Sequence, residues 1–299
     1  MTAPTTLLAL VQHTAQALEQ AQVHFGHGTT NAWDEAAWLV LHSLGLPLDT
    51  PLEGSESQAN RPVTPVEYAA AATLLGARTS SRKPLAYLIK QAWLQGVPFY
   101  VDERSIVPRS LIAELLADGS LDYWLSESTQ RVLDLCTGNG SLAVLTAMTY
   151  PDVVVDASDL SPEALEVARI NVAQHQLQSR ITLLQSDGLH ALTGPYDLIV
   201  CNPPYVNADS MAALPAEYQA EPAMALSGNL QGGADGMDFI RPLLADVARV
   251  LSPIGVLVLE IGHERAYFEN AFPELNPIWL ETSAGSDQVL LLTRDALNT

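Results

Sequence analysis

Apolar positions near the start of the chain recur at helical spacing: Leu7, Leu8, Leu10, Val11 and Leu18, then Trp33, Ala37, Trp38, Val40 and Leu41. A stretch rich in Pro, Gly and Ser, PLDTPLEGSESQANRPVTP at 47–65, separates these two segments from a third expected helix over roughly 66–80. The segment GVPFYVDERSIVPR at 96–109 alternates apolar and polar residues between Gly and Pro breaks, which predicts a short hairpin or extended linker leading to a helix near 110–118. From residue 131 the pattern changes. The runs RVLDLC, VVVDAS, ITLLQS, YDLIVCN, GVLVLEI and QVLLLT alternate with helical stretches beginning near 140, 161 and 236. Alternation of this kind predicts an α/β fold whose parallel sheet is covered on both faces. The helix after Asp159 is the best specified, with Ser161 as cap, Pro162 at the first helical position and Glu163 in the first turn. The expected organisation is a helical domain over 1–92, a hairpin or linker over 93–118 and a catalytic domain over 119–299, and 299 residues suffice for two cores.

Composition narrows the function. The apolar runs fall short of a membrane span, and the N-terminal MTAPTTLLALVQH has no basic region or cleavage signal, so a cytoplasmic location is expected. Cys136 and Cys201 end two apolar runs, the pattern of buried thiols in a reducing compartment and not of a disulfide framework or metal site. Lys and Arg number 14 against 34 Asp and Glu, a net charge of -20 that repels phosphate. No basic cluster is present to neutralise a DNA backbone, so direct DNA binding is not expected, whereas a basic partner would be steered toward such a surface.

In an open α/β sheet the ligand lies at the carboxyl ends of the strands, and there the unusual residues gather. Asp134-Leu135-Cys136-Thr137-Gly138-Asn139-Gly140 ends the first strand, and glycines in such a loop let the backbone approach a ligand that a Cβ would exclude. Gly138-x-Gly140-x-x-Ala143 also fits a dinucleotide fingerprint, and Asp159, ending the second strand, can hold a ribose in either class. Asp134 tips the balance, because a carboxylate suits the cationic methionyl end of S-adenosylmethionine better than a pyrophosphate. An ionised Asp159 offers acceptors only and suits a diol. Asp187 with Gly188, after the third strand, falls where the adenine edge is expected.

The fourth strand runs into Asn202-Pro203-Pro204-Tyr205. Two prolines lock φ and remove two backbone donors, leaving a rigid turn with carbonyls to accept. An amide nitrogen is a poor nucleophile because its lone pair is delocalised. The Asn202 side-chain oxygen and the Pro203 carbonyl, placed at its two N–H groups, would orient that nitrogen toward the sulfonium methyl, with Tyr205 stacking on the planar group. The scheme needs no metal.

With these motifs the chain resembles the protein-(glutamine) methyltransferases that carry N-P-P-Y and a helical N-terminal domain on a class I (Rossmann-like) S-adenosylmethionine methyltransferase sheet. The resemblance runs from roughly residue 60 to the C-terminus. FYVDERSIVPRS at 99–110, DLCTGNGSLA at 134–143, NPPYV at 202–206 and LPAEYQAEP at 214–222 look most like the branch acting on the third protein of the large ribosomal subunit, which implies a basic ribosomal protein as partner. The branch that modifies peptide chain release factors typically has Arg-Pro-Asp where this chain has Arg109-Ser110, and an aromatic residue where it has Gly188. The resemblance implies that Cys136 to Gly140, Asp159, Asp187, Gly188 and Asn202 line the cofactor pocket, and that Asn202 to Tyr205 receive the glutamine. A family glycine at the start of the loop is replaced by Cys136, as is common in this branch, and LSGNLQGGADG at 226–236 is longer than the usual loop. Three other readings compete: an adenine amino methyltransferase, which the net charge opposes; a nicotinamide oxidoreductase, which leaves N-P-P-Y unexplained; and a noncatalytic module that binds ribosomal protein. Arg109, Glu260 and His263 are read as structural.

Overall fold

The computed structural model describes residues 4–297; the first three residues of MTAPTTLLALVQH and the last two of the chain lie outside them. The chain forms two compact units. One comprises the chain up to Gln91 together with Pro215–Ala220, and the other comprises Ala92–Leu214 and the chain from Glu221 onward.

The first unit holds helices α1 (Leu7–Gln20), α2 (Ala32–Ser43), α3 (Pro65–Ser81) and α4 (Leu85–Ile89). Side-chain caps set the starts of the first three: Thr6 accepts the Ala9 N–H, Asn31 the Asp34 N–H, and Thr64 with Glu67 closes a reciprocal box ahead of Pro65. Their apolar faces bury Leu7, Leu10, Leu18 and Leu39. Within this interior Arg78 is 1 % exposed. Its guanidinium donates to Glu35 at 2.7 Å, to the His24 carbonyl at 2.9 Å and to Glu217 at 3.4 Å. Glu217 also accepts the His24 N–H at 3.0 Å and pairs with Arg82 at 2.9 Å. Burial alone would raise the Glu217 carboxyl, but the His24 N–H and the two guanidinium groups hold it below its usual range. Residues 215–220 are thus fastened into the helical unit by a buried ion cluster.

The second unit contains, in chain order, β1 (Ala92–Leu94), β2 (Val97–Phe99), α5 (Ile112–Ala117), β3 (Arg131–Leu135), α6 (Ser141–Thr149), β4 (Val154–Asp159), α7 (Pro162–Gln174), β5 (Ile181–Gln185) and β6 (Tyr196–Cys201). Then follow α8 (Ala208–Ala212), α9 (Ile240–Asp246), β7 (Leu251–Glu260), α10 (Arg265–Ala271), β8 (Ile278–Thr282) and β9 (Gly285–Thr293). Seven strands form one sheet in the order β5-β4-β3-β6-β7-β9-β8. The first five are parallel, and β9 runs antiparallel between β7 and β8. Successive strand residues feed opposite faces: Val132, Leu198 and Val200 enter one core, and Leu133, Ile199 and Cys201 the other. Ser161 caps α7 by accepting the Ala164 N–H at 3.1 Å, with Pro162 first in the helix.

Four features differ from the sequence expectations. The sheet, parallel over five strands as expected, is mixed at one edge, because a tight turn after β8 returns β9 antiparallel. Strand β8 escaped the pattern because it is a half-exposed edge strand. The hairpin turns at Gln95-Gly96, one strand earlier than expected, and residues 100–109 are not strand. Asn171 explains that, since it accepts the Tyr100 N–H at 2.7 Å and donates to the Tyr100 carbonyl at 2.9 Å, filling both ladder positions. Finally, the segment 93–118 is no linker: Phe99, Ile112, Leu115 and Leu116 share a core with Val132 and Leu198.

Candidate active site

Strand β3 has β4 on one side and β6 on the other, so successive connections diverge there and open a crevice at the strand ends. Leu135 is in register with both Ser158 and Cys201, which brings the three strand ends level. A cavity occupies this position. Its wall includes Cys136, Gly138, Asp159, Asp187, Gly188, Asn202 and Pro204, all anticipated from the sequence.

Asp159 is the polar centre of this wall. Its carboxylate accepts the Gly138 N–H at 2.8 Å and the Ser161 N–H at 2.9 Å, one on each oxygen, and each oxygen keeps acceptor capacity for a hydroxyl. Burial pushes the Asp159 carboxyl above its usual range, against the pull of these N–H donors. A cationic ligand beside it would favour the ionised form. Gly138 has φ of +54°, and a Cβ there would meet no atom within 4 Å, so its surface toward the cavity is bare backbone. Cys136 sits at φ of +61°, a left-handed conformation that explains the glycine expected at this point of the loop. The neighbouring Cys201 thiol and burial push the Cys136 thiol well up, which suits a packing role and not a nucleophile. Asp187 is exposed at the rim, while Gly188 packs against the Phe239 ring.

Six expected site residues do not line the cavity. Asp134 is fully buried, and its Oδ2 takes the Thr137 hydroxyl at 2.5 Å and the Ala143 N–H at 2.9 Å. Burial pushes it up to about 7. Asp134 therefore closes the first turn of α6 from behind the loop and is not on the ligand side, which corrects its expected contact with the methionyl end. Thr137 is the hydroxyl in that bond. Asn139 accepts the Ser141 N–H at 3.1 Å, and its carbonyl accepts from Asn171 at 2.8 Å. Gly140 has φ of +80°, and a Cβ there would stand 3.1 Å from Ala168 Cβ, so its smallness serves the packing of α6 on α7. Pro203 is buried, with its ring outside the cavity wall. Tyr205 is not part of the cavity wall either; its ring lies on Gly262 and its hydroxyl points to Glu260 at 3.5 Å. Burial and Glu260 raise the phenol far above its usual range.

Sequence reasoning missed several wall residues. Ile106, Leu160 and Phe239 supply apolar surface, and Met224, Leu230 and Gln231 form part of the wall from the segments after 221. Leu160 follows Asp159 and was accessible by adjacency, and Ile106 lies within 99–110. Phe239 has no local signal, because it lies between the 226–236 loop and α9. Arg104 also reaches the wall, but its guanidinium is engaged by Asp102 at 2.7 and 2.8 Å. The longer 226–236 loop is braced on the turn after β6. Asn229 donates to the Val206 carbonyl at 2.9 Å and accepts the Gly236 N–H at 2.8 Å, and a Cβ at Gly236 would collide with the Tyr205 carbonyl.

An apolar slot, an acidic strand end and a glycine with no side chain over the backbone together fit a nucleoside carrying positive charge better than one carrying a pyrophosphate. The methyltransferase small domain family model matches residues 116–229. The catalytic domain of hMettl16, solved in complex with the MAT2A 3'UTR hairpin 6, shares the fold, with a TM-score of 0.51 over 78% of this chain and 84% of that one at 15% identity. The protein is thus a class I methyltransferase, an enzyme whose methyl donor is S-adenosylmethionine. The ribosomal protein uL3 glutamine methyltransferase of Bordetella pertussis is 52% identical over 98% of this chain and 97% of its own length. Those of Burkholderia pseudomallei and of Neisseria meningitidis serogroup A are 48% and 47% identical, covering 97% and 98% of this chain and 96% and 94% of their own lengths. The chain belongs to the family of ribosomal protein uL3 glutamine methyltransferases.

Proposed function

We propose that this chain methylates the side-chain amide nitrogen of a glutamine in ribosomal protein uL3, and that Asn202 is the principal acceptor for that amide. One observation carries the site assignment: Asn202 and Pro204 share a cavity wall with Asp159, so the N-P-P-Y turn and the acidic strand end address one space. Near-full-length relatives at about half identity carry the substrate assignment.

S-adenosylmethionine supplies an electrophilic methyl group on a sulfonium. Asp159 would hold its ribose hydroxyls, Gly138 would let it approach the backbone, and Ile106, Leu160 and Phe239 would flank its base beside Asp187 and Gly188. Cys136 belongs to the same wall, whereas Asp134, Thr137, Asn139 and Gly140 act from behind by shaping the loop. The Asn202 side-chain oxygen accepts one substrate N–H, and the Pro203 carbonyl offers a second acceptor. Together they turn the amide so that its nitrogen, not its oxygen, faces the methyl donor. They also favour the positive charge that develops on nitrogen, before a proton is lost to solvent. Pro204 keeps the turn rigid.

A pocket that admits one side chain cannot identify the protein carrying it, so we assign recognition of the basic ribosomal protein to the helical unit. The net charge of -20 supports a basic protein partner and opposes a nucleic acid one. No helix among the described residues is long and apolar enough to cross a membrane, and the two free thiols suit a cytoplasmic setting. The test is Asn202→Ala in the full chain. Turnover with uL3 should fall ~100-fold or more, the scale of losing one preorganised transition-state partner, with S-adenosylmethionine still bound. Turnover near wild type would remove Asn202 from the role.

A further inference from the structure

The second unit buries three carboxylates, Glu221, Glu260 and Glu264, of which two contact the residues that follow Asn202-Pro203-Pro204. Glu221 is committed to Arg109, with two contacts of 2.7 Å, and to the Val107 N–H at 2.9 Å. The other two lie at the end of β7 and the start of α10. Glu264 accepts from the Asn207 side-chain amide at 2.8 and 2.9 Å and from the Asn207 main-chain N–H at 3.3 Å. Asn207 in turn accepts the Ser210 N–H at 2.9 Å and so starts α8. Glu260 accepts the Ser110 hydroxyl at 2.6 Å and the Leu111 N–H at 2.9 Å through one oxygen, while the other faces the Tyr205 hydroxyl at 3.5 Å. Gly262 lies between them, and a Cβ there would stand 2.6 Å from the Tyr205 ring. Only the absence of a side chain lets the ring seat there.

Burying carboxylates beside a single engaged guanidinium costs stability, and apolar residues would fill the same space with less penalty. What the acids supply instead is direction. Glu264 bonds Asn207, three residues after Pro204, and Glu260, anchored through one oxygen on Ser110 and Leu111, turns the other to Tyr205, the residue next to Pro204. We infer that Glu260 and Glu264 are positioning residues for methyl transfer: they hold Tyr205 and Asn207, and through them fix where the Asn202–Pro204 turn presents its acceptors. The inference rests on the reading of Asn202 as the amide acceptor. It gives Tyr205 a role, since the tyrosine faces Glu260 and is not part of the cavity wall. It also gives Ser110 one, since its hydroxyl donates to Glu260 at 2.6 Å.

The sharpest test exchanges the Glu264–Asn207 pair in the full chain with uL3 as substrate. Glu264→Gln aims an amide NH2 at the Asn207 NH2 and should displace the turn. A displacement of about 1 Å lowers kcat on the order of 100-fold, with KM for uL3 and the calorimetric Kd for S-adenosylmethionine unchanged. Adding Asn207→Asp restores donor against acceptor and should recover most of the kcat, a rescue that general destabilisation would not give. Unchanged kcat in Glu264→Gln, a matching loss of cofactor affinity, or no recovery in the double variant overturns the inference. Should Glu264→Gln fail to fold, Tyr205→Phe removes only a hydroxyl and poses the question for Glu260: a kcat loss of about 10-fold with unchanged KM supports it, and wild-type kcat overturns it. Asn202→Ala in the same assay separates the two levels. If that variant keeps its turnover the site reading fails, whereas if it alone loses turnover only the positioning role fails.

Discussion

Replacing Asp159 with alanine removes the carboxylate at the centre of the cavity wall, and the structure sets the size of the effect. Two main-chain donors, Gly138 N–H at 2.8 Å and Ser161 N–H at 2.9 Å, lose their acceptor. Both lie in partly buried surroundings that water can reach, so the folding cost should be modest, about 1–2 kcal/mol. The cost to cofactor binding is larger. A diol held by an ionised carboxylate makes two charge-assisted hydrogen bonds, each about 1.5–3 kcal/mol, and water replaces part of this in the variant. A net loss of about 2–4 kcal/mol weakens Kd roughly 30- to 1000-fold. Calorimetric titration reads this directly. Thermal unfolding reads it through mass action: with cofactor at about 100 times the wild-type Kd, wild type gains about 2.7 kcal/mol, and a variant weakened 100-fold gains only about 0.4 kcal/mol. An unchanged Kd in a folded variant would refute the ribose assignment, and a lost Kd together with a collapsed thermal midpoint would show that the carboxylate serves the fold instead.

Two further outcomes follow from buried charge. Burial raises Asp134 to about 7 from an ordinary 3.8, so the folded state holds its proton more tightly than the unfolded chain. Its contribution to stability is therefore greatest below about pH 4 and is lost as pH rises toward about 7. Asp134→Asn lacks this loss, so its stability relative to wild type should climb between pH 5 and 8, by on the order of a few kcal/mol at most, in denaturant titrations. A flat difference would mean that the carboxyl is ionised throughout. In the helical unit, Arg78→Leu leaves Glu35 buried without its main partner and Glu217 with Arg82 as its remaining guanidinium, which should cost about 3–5 kcal/mol. A loss below 1 kcal/mol by chemical denaturation would contradict the buried cluster.

The residues that sequence reasoning found are those whose chemistry is local. Asp159, Gly138 and Asn202 each sit at a strand end marked by a change from apolar run to Gly, Pro or Asp, and strand ends are where an open sheet binds. Ser161 and Pro162 were legible for a similar reason, since capping depends on a few adjacent residues. What escaped depends on distance in sequence. Tyr205 read as a substrate platform because its neighbours in the chain form the N-P-P turn, yet its environment is set by Gly262 and Glu260, more than fifty residues on. Asp134 read as a ligand because it starts the glycine loop, but the side chain of a central strand points to one face or the other, and here it turns toward Thr137 and α6. The edge strand β8, the antiparallel sense of β9 and the return of residues 215–220 into the helical unit are decisions of tertiary packing that no local pattern encodes.

The most direct measurement offers purified uL3 and a peptide chain release factor side by side to the full-length chain with labelled S-adenosylmethionine, followed by peptide mass spectrometry of both products. The account requires label on uL3, located as a single methyl on a glutamine side chain and absent when Asn202 is alanine, with the release factor labelled far more slowly. Preferential label on the release factor, or a methyl on any residue of uL3 other than glutamine, would contradict it.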